Sequence, residues 1–268
     1  EDLRIRIYDF TSLQARSARF DLAISGLGAN PRLDPNIPHK EFDPIPMWVA
    51  DMSFGTCPEI LTAFRARFNY PIFGYFSLPD RYYQSIIGWH MNRHGGIAQD
   101  DIGYENGILG GISNALNCFA APGNPVLVHT STYPGFTRCI NANGYRLVDS
   151  ELVQDSKSIT RMNHAEMDKL LDEQRIHVVL LCSPHNPTGR VWEHEELEEA
   201  MALFARHDCI VLSDEIWSDV ILGKHKHIPI QSVSDEARKR TISFYSSSKT
   251  FITAQSLSNE QNDRCPGA

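Results

Sequence analysis

The amino-acid sequence predicts an α/β fold in which a mostly parallel sheet is covered by helices on both faces. Two observations predict this fold. From residue 105 onward, short apolar runs alternate with segments whose apolar residues recur at helical spacing. The run Val178–Cys182 is apolar at every position, as expected of a central strand that is buried on both sides. Strands that alternate with helices in this way form parallel sheets with right-handed crossovers.

Turn residues and helix-start signals give approximate limits for each element. A proline suited to the first helical turn begins the first of the predicted helices. These helices are expected at residues 58–68, 80–94, about 112–119, 134–142, 165–174 and 193–207. The predicted strands lie at residues 125–129, 145–149, 178–182, 209–213 and 241–245. Residues 1–45 show no sustained period and are predicted to form an N-terminal arm.

Composition limits the classes of function. The 268 residues are 42% hydrophobic, enough for a large core, and the formal net charge of -8 disfavours a nucleic-acid partner. No apolar run is long enough to span a membrane, and six cysteines without a C-x-x-C pair favour the reducing cytoplasm. No metal site is predicted, and His225 and His227 are interpreted as an exposed turn or edge.

Three polar motifs each follow a predicted strand. They are Asn186-Pro187-Thr188-Gly189, Asp214-Glu215 and Ser246-Ser247-Ser248-Lys249. Taken singly, they are typical of a turn, a helix cap or solvated pair, and an exposed loop. Because open α/β sheets bind ligands at the carboxyl ends of parallel strands, their shared position favours one common site.

These residue types together suit pyridoxal phosphate chemistry. A lysine amine such as that of Lys249 can bond covalently to the aldehyde of this cofactor. A carboxylate beside the pyridine nitrogen, here Asp214, keeps the ring protonated, so that the ring accepts electron density. Asn186 can donate to the phenolate oxygen of the ring. The sequence therefore predicts a pyridoxal 5'-phosphate site.

The same segments resemble fold-type I pyridoxal phosphate enzymes, and more narrowly the branch of the class I/II aminotransferase family that holds the MalY/PatB-type cystathionine beta-lyases. The resemblance covers roughly residues 5–251 and is carried by residues 45–52, 73–75, 183–189, 213–216 and 248–251. It implies a seven-stranded type of sheet in a cofactor-binding large domain at 46–251, after an arm at 1–45. It also implies that the C-terminal small domain is missing and that an atypical polar tail occupies 252–268.

The resemblance implies the same roles for the lysine, aspartate and asparagine, and it adds further cofactor contacts. Tyr133 would stack on the ring. The phosphate would be bound by Ser246, by the backbone amides of Leu109 and Gly110, and by Tyr75 from a neighbouring subunit. Unpaired N–H groups and the dipole at a helix start suit an anion. A contact supplied by a second subunit implies a homodimer.

The activity that the resemblance implies is that of a pyridoxal phosphate-dependent lyase of amino-acid metabolism. It would convert cystathionine or a related cysteine thioether to pyruvate, ammonia and a thiol by alpha,beta-elimination. Two alternatives stay open. An aminotransferase would use the same residues, and a truncated, non-catalytic remnant would bind the cofactor or a full-length partner subunit. The remnant alternative follows from the expected loss, after Phe251, of the domain whose arginine holds the substrate carboxylate.

Overall fold

The computed structural model describes residues 8–14, 22–26, 45, 47 and 50–253. These residues fall into two compact units, here called the first unit (1–75 and 247–254) and the sheet unit (76–246). Much of the predicted arm and almost all of the predicted tail lie outside the described residues, as do Trp48 and Val49 of the family motif. The predicted domain limits at 45 and 251 therefore stay a prediction.

A five-stranded sheet organises the sheet unit, and all of its neighbouring strands are parallel. In chain order its strands are β1 (Pro125–Thr130), β2 (Arg146–Glu151), β5 (Val178–Cys182), β6 (Ile210–Asp214) and β7 (Thr241–Phe244). Their spatial order is β2-β1-β5-β6-β7. A separate antiparallel pair is formed by β3 (Val153–Gln154) and β4 (Thr160–Arg161). The predicted parallel sheet is confirmed, with five strands in the described part of the chain where the resemblance implied a seven-stranded type.

Helices alternate with these strands as the periodicity predicted, and their limits agree with the expected ones to within a few residues. The helices of the sheet unit are α3 (Asp80–Arg93), α4 (Ile108–Phe119), α5 (Pro134–Ala142), α6 (His164–Gln174), α7 (His194–Arg206) and α8 (Asp235–Arg240). The first unit contains α1 (Leu22–Ser25), α2 (Pro58–Phe68) and α9 (Ser247–Thr250). Within the described ranges, no helix is both long and apolar enough to cross a membrane.

Both faces of the sheet are covered by helices. Successive side chains of a strand point to opposite faces. Accordingly, Val126 and Val128 of β1 pack in one apolar cluster with residues of α4 and α5, whereas Leu127 packs in a second cluster with residues of α6 and α7. We call these sides of the sheet the α4–α5 face and the α6–α7 face. Burial on both faces explains why β5 is apolar at every position.

Candidate active site

The carboxyl edge of the parallel sheet gathers four of the predicted site residues. Asp214 is the last residue of β6, and Asn186 follows the end of β5 by four residues. Tyr133 and Ser246 follow the ends of β1 and β7 by three and two residues. Since these strands are parallel neighbours, their carboxyl ends lie along one edge of the sheet. The sequence-based expectation of a shared edge is therefore met within the sheet unit.

The Asp214 carboxylate lies on the α4–α5 face. Leu212, two residues earlier in the same strand, packs in the apolar cluster of that face, and strand alternation places Asp214 on the same side. Asp214 is only 6% exposed, and its Oδ1 accepts a hydrogen bond from the N–H of Ile216 at 3.0 Å. It is paired in register with Cys182 of β5. Burial, with the nearby Asp214 charge, raises the pKa of the Cys182 thiol.

The start of α4, on that face, has features that suit an anion. Leu109 and Gly110 lie in its first turn, which follows Gly107 at a positive φ of 81° and has neither a capping side chain nor an acidic residue. The first N–H groups of a helix have no partner within the helix, and the dipole favours negative charge there. A Cβ atom added at Gly110 would meet no atom within 4 Å, so the space beside this first turn is open.

The neighbouring glycine has a different reason to be small. A Cβ atom at Gly111 would lie 2.8 Å from the Phe244 ring of β7, closer than carbon atoms can pack. Gly111 therefore lets α4 approach the sheet, whereas the space beside Gly110 is open. Glycine spacing in the sequence alone does not reveal which neighbour each of the two residues faces.

The Asn-Pro-x-Gly motif forms a turn that holds Asn186 at the strand end. The N–H of His185 donates to the carbonyl of Arg190 at 2.8 Å, and the N–H of Gly189 donates to the carbonyl of His185 at 2.7 Å. Gly189 adopts a φ of +71°, which favours glycine. The Asn186 N–H contacts the Cys182 sulfur at 3.4 Å. The turn and site interpretations are thus compatible, since the turn positions the amide.

Tyr133 is held at the same edge of the sheet with its side chain partly exposed. It immediately precedes α5 and is 37% exposed. Its ring packs edge-on against Phe136, with centroids 5.3 Å apart. A Cβ atom on Gly135 would lie 2.3 Å from the Tyr133 ring, so a glycine is needed there. An anchored, partly exposed ring of this kind can stack on a flat ligand.

Glu215 has a structural role that the sequence interpretation missed. Its carboxylate accepts hydrogen bonds from Ser213 Oγ at 3.1 Å, Ser243 Oγ at 3.0 Å and the Ile230 N–H at 3.2 Å, and it contacts His227 Nε2 at 2.8 Å. The prediction that His227 is exposed was wrong, because the buried carboxylate draws the imidazole inward. These partners place Glu215 on the α6–α7 face, opposite Asp214. A serine two residues before the glutamate was the available signal.

Lys249 and Tyr75 belong to the first unit. Lys249 lies in α9, and its Nζ donates a hydrogen bond to the Ala50 carbonyl at 3.0 Å. Thr56 Oγ1 in turn donates to the Phe251 carbonyl, so the segment before α2 contacts the α9 region at two points. Tyr75 is fully exposed. The cofactor contacts assigned to these two residues, and to those at the sheet edge, stay predictions.

Comparison with known proteins identifies the family. A family model for aminotransferase class I and II matches residues 49–255. The chain is 33% identical over 213 residues to the cystathionine beta-lyase PatB of Bacillus subtilis, covering 79% of this chain and 55% of PatB. It is 31% identical over 194 residues to the MalY protein of Escherichia coli, covering 72% of this chain and 50% of MalY. The chain thus spans about half the length of these curated relatives.

Solved structures give the same result. The chain resembles cystalysin of Treponema denticola, a structure that contains pyridoxal 5'-phosphate, with a TM-score of 0.84 and 28% identity, covering 94% of this chain and 62% of cystalysin. It also resembles the pyridoxal phosphate-bound C-S lyase of Staphylococcus hominis, with a TM-score of 0.81 and 27% identity over 94% of this chain and 62% of that enzyme. The protein belongs to the aminotransferase class I and II family.

Proposed function

We propose that this chain is the cofactor-binding part of a pyridoxal 5'-phosphate-dependent carbon–sulfur β-lyase that acts on cystathionine or related cysteine thioethers. The observation that carries the proposal is the similarity to proteins named as cystathionine beta-lyases and C-S lyases over most of the chain. The chain covers only part of the length of each of those proteins. The lyase activity, which is that of a complete enzyme, is therefore itself a part of what we propose.

The sheet edge suits the proposed cofactor. A buried carboxylate on the α4–α5 face, Asp214, matches a protonated pyridine nitrogen. An open helix start at Leu109 and Gly110 matches a phosphate group. Tyr133 presents a partly exposed ring just after the carboxyl end of β1, at the same edge of the sheet. A cationic ring, an aromatic plane and a dianion are the three recognition elements of pyridoxal phosphate.

The roles of the residues follow from these positions. When bound, pyridoxal phosphate withdraws electron density from the substrate alpha carbon through its protonated ring. Asp214 would hold the proton on the ring nitrogen, and Asn186 would donate to the ring oxygen. Lys249 would accept the alpha proton as a general base, after which the thiolate leaves the beta carbon. The thiolate takes up a proton and one water hydrolyses the remaining three-carbon product, so the proposed products are pyruvate, ammonia and a thiol.

The proposal includes a homodimer in which Tyr75 reaches the phosphate of the partner. Tyr75 is fully exposed and follows an exposed apolar stretch in the first unit, made up of Phe68, Tyr70, Ile72 and Phe73. Exposed apolar stretches of this kind mark surfaces that a partner covers. A cytoplasmic location is proposed with it, since the described cysteines form no disulfide.

Cofactor binding and turnover can be tested on the purified chain. Titration with pyridoxal 5'-phosphate should produce the absorbance band of the covalently bound cofactor, and Lys249→Ala should abolish that band. The matched control is Lys226→Ala, which changes an exposed lysine and should leave the band intact. A Lys249→Ala variant that keeps the band would refute the assigned role.

Reaction class can be tested with cystathionine in the presence and absence of an oxo acid. Release of thiol and pyruvate without an oxo acid is the expected result for a lyase. Amino transfer that depends on the oxo acid would instead identify an aminotransferase, which the family name also allows. A cofactor band that no substrate perturbs would identify a non-catalytic chain.

A further inference from the structure

Asp219 is the centre of a buried hydrogen-bond cluster that none of the proposed catalytic roles uses. Its side chain is 4% exposed. The carboxylate accepts from Trp89 Nε1 at 3.1 Å, contacts His94 Nε2 at 3.0 Å, and accepts from the hydroxyl of Tyr245. The Nε of Arg93 lies 3.8 Å away. All of these residues belong to the sheet unit, so one carboxylate joins the end of α3 to the residue that follows β7.

The charge on Asp219 is stabilised by these donors. Burial alone would raise the pKa of the carboxyl, but hydrogen bonds from His94, Tyr245 and Trp89 outweigh it and hold the pKa below its usual range. The carboxylate is therefore an ionised acceptor at neutral pH, and hydrogen bonds to a charged acceptor are stronger than neutral ones. A group with three donors of this kind is fixed in position.

Tyr245 connects this cluster to the proposed phosphate site. It is the residue directly after β7 and directly before Ser246, the predicted phosphate ligand. The strand end itself is held because the Glu215 N–H donates to the Phe244 carbonyl at 2.9 Å. With Phe244 fixed in the sheet and the Tyr245 hydroxyl fixed by Asp219, little rotational freedom is left to the backbone that carries Ser246.

We infer that Asp219 is a positioning residue for phosphate recognition, acting through Tyr245 to orient Ser246. This inference rests on the proposed function, because it concerns the same cofactor site. An uncharged side chain at position 219 would weaken the hold on the Tyr245 hydroxyl. The Ser246 hydroxyl would then sample orientations that do not face the phosphate. Loss of pre-organised geometry weakens recognition even when no direct contact is removed.

The test compares pyridoxal 5'-phosphate with pyridoxal, which lacks the phosphate group. Dissociation constants for both are measured by absorbance titration on the wild-type chain and on Asp219→Asn, which is nearly equal in shape. The expected result is a loss of about tenfold in affinity for pyridoxal 5'-phosphate, with the affinity for pyridoxal changed by no more than about twofold. Ser246→Ala should show the same pattern. The matched control is Asp208→Asn, whose side chain is 94% exposed, and it should change neither constant.

Tyr245→Phe provides a second route to the same answer, because it removes only the hydroxyl and keeps the ring. It should reproduce the pattern of Asp219→Asn, and the double variant should be no weaker than either single one, since both act on one contact. If Asp219→Asn does not fold, Tyr245→Phe decides the question.

Three results would overturn the inference. An equal loss of affinity for both compounds in Asp219→Asn would show a merely structural role. Unchanged constants in Asp219→Asn or Tyr245→Phe would show that the cluster does not act on the phosphate. A wild-type chain that binds pyridoxal 5'-phosphate no better than pyridoxal would refute the proposed phosphate site itself, and the inference with it. The first two results leave the proposed function intact, so the two failures are distinguishable.

Discussion

Acidification should destabilise this chain through His129, a buried histidine in β1. The side chain is almost fully buried, and neither ring nitrogen has a hydrogen-bond partner among the described residues. Burial, with smaller contributions from His185 and His164, lowers the pKa of His129 from 6.5 to about 3. Between pH 6.5 and pH 3, His129 is therefore protonated in the unfolded chain but neutral in the folded chain. The free energy of unfolding accordingly falls as the pH falls through this window.

The magnitude follows from the shift. At pH 5 the pH lies about 1.5 units below the pKa of His129 in the unfolded chain, where the side chain is protonated, while His129 in the folded chain is still neutral. Each unit corresponds to about 1.36 kcal/mol, so the free energy of unfolding should fall by about 2 kcal/mol between pH 7 and pH 5. With a urea m-value of about 3 kcal/mol/M, the unfolding midpoint should fall by about 0.7 M. His185, whose pKa burial lowers to about 4, adds its own contribution.

The assay is urea unfolding at pH 7 and pH 5 for the wild-type chain and for His129→Leu. Leucine is similar in volume and cannot be protonated, and the imidazole ring has no hydrogen bond with the described part of the chain to lose. The variant should lose about 2 kcal/mol less than the wild type on acidification, with the His185 contribution present in both proteins. The matched control is His225→Leu at an exposed position, which should keep the wild-type pH dependence. Parallel losses in His129→Leu and wild type would refute the reasoning.

Three further predictions concern the glycines of α4, the buried glutamate and the cysteines. Gly111→Ala should lower the free energy of unfolding by about 1–3 kcal/mol, because the new methyl would lie 2.8 Å from an aromatic ring of β7. Gly110→Ala should keep the stability and weaken pyridoxal 5'-phosphate binding. Equal unfolding midpoints of the two variants in urea would contradict this prediction. Glu215→Ala should lower the free energy of unfolding in urea by about 3–5 kcal/mol, because a buried imidazole and two hydroxyls lose their hydrogen-bond acceptor. A decrease below about 1 kcal/mol would contradict this prediction. In native protein at pH 8, a disulfide thiol reagent should label exposed Cys118 well before buried Cys182, whose pKa is raised by burial; equal labelling rates would contradict this.

Local sequence was enough to predict the elements and to bring four of the proposed site residues to one edge of the sheet. The apolar runs and the helical periodicity located the five strands of the sheet and the main helices. They could do so because the apolar residues of one buried face recur within a short stretch of sequence. The three polar motifs were placed at strand ends for the same reason. Asp214 could be selected as a candidate because it ends an apolar strand in a parallel arrangement.

Tertiary structure alone decided what each of these groups contacts. Asp214 and Glu215 are adjacent in sequence, but strand alternation and the strand order place one on the α4–α5 face and the other in a serine–histidine cluster on the opposite face. The Asp219 cluster joins Trp89 to Tyr245, which are far apart in the chain. Such contacts depend on the crossover geometry between strands, and no local pattern in the sequence records that geometry.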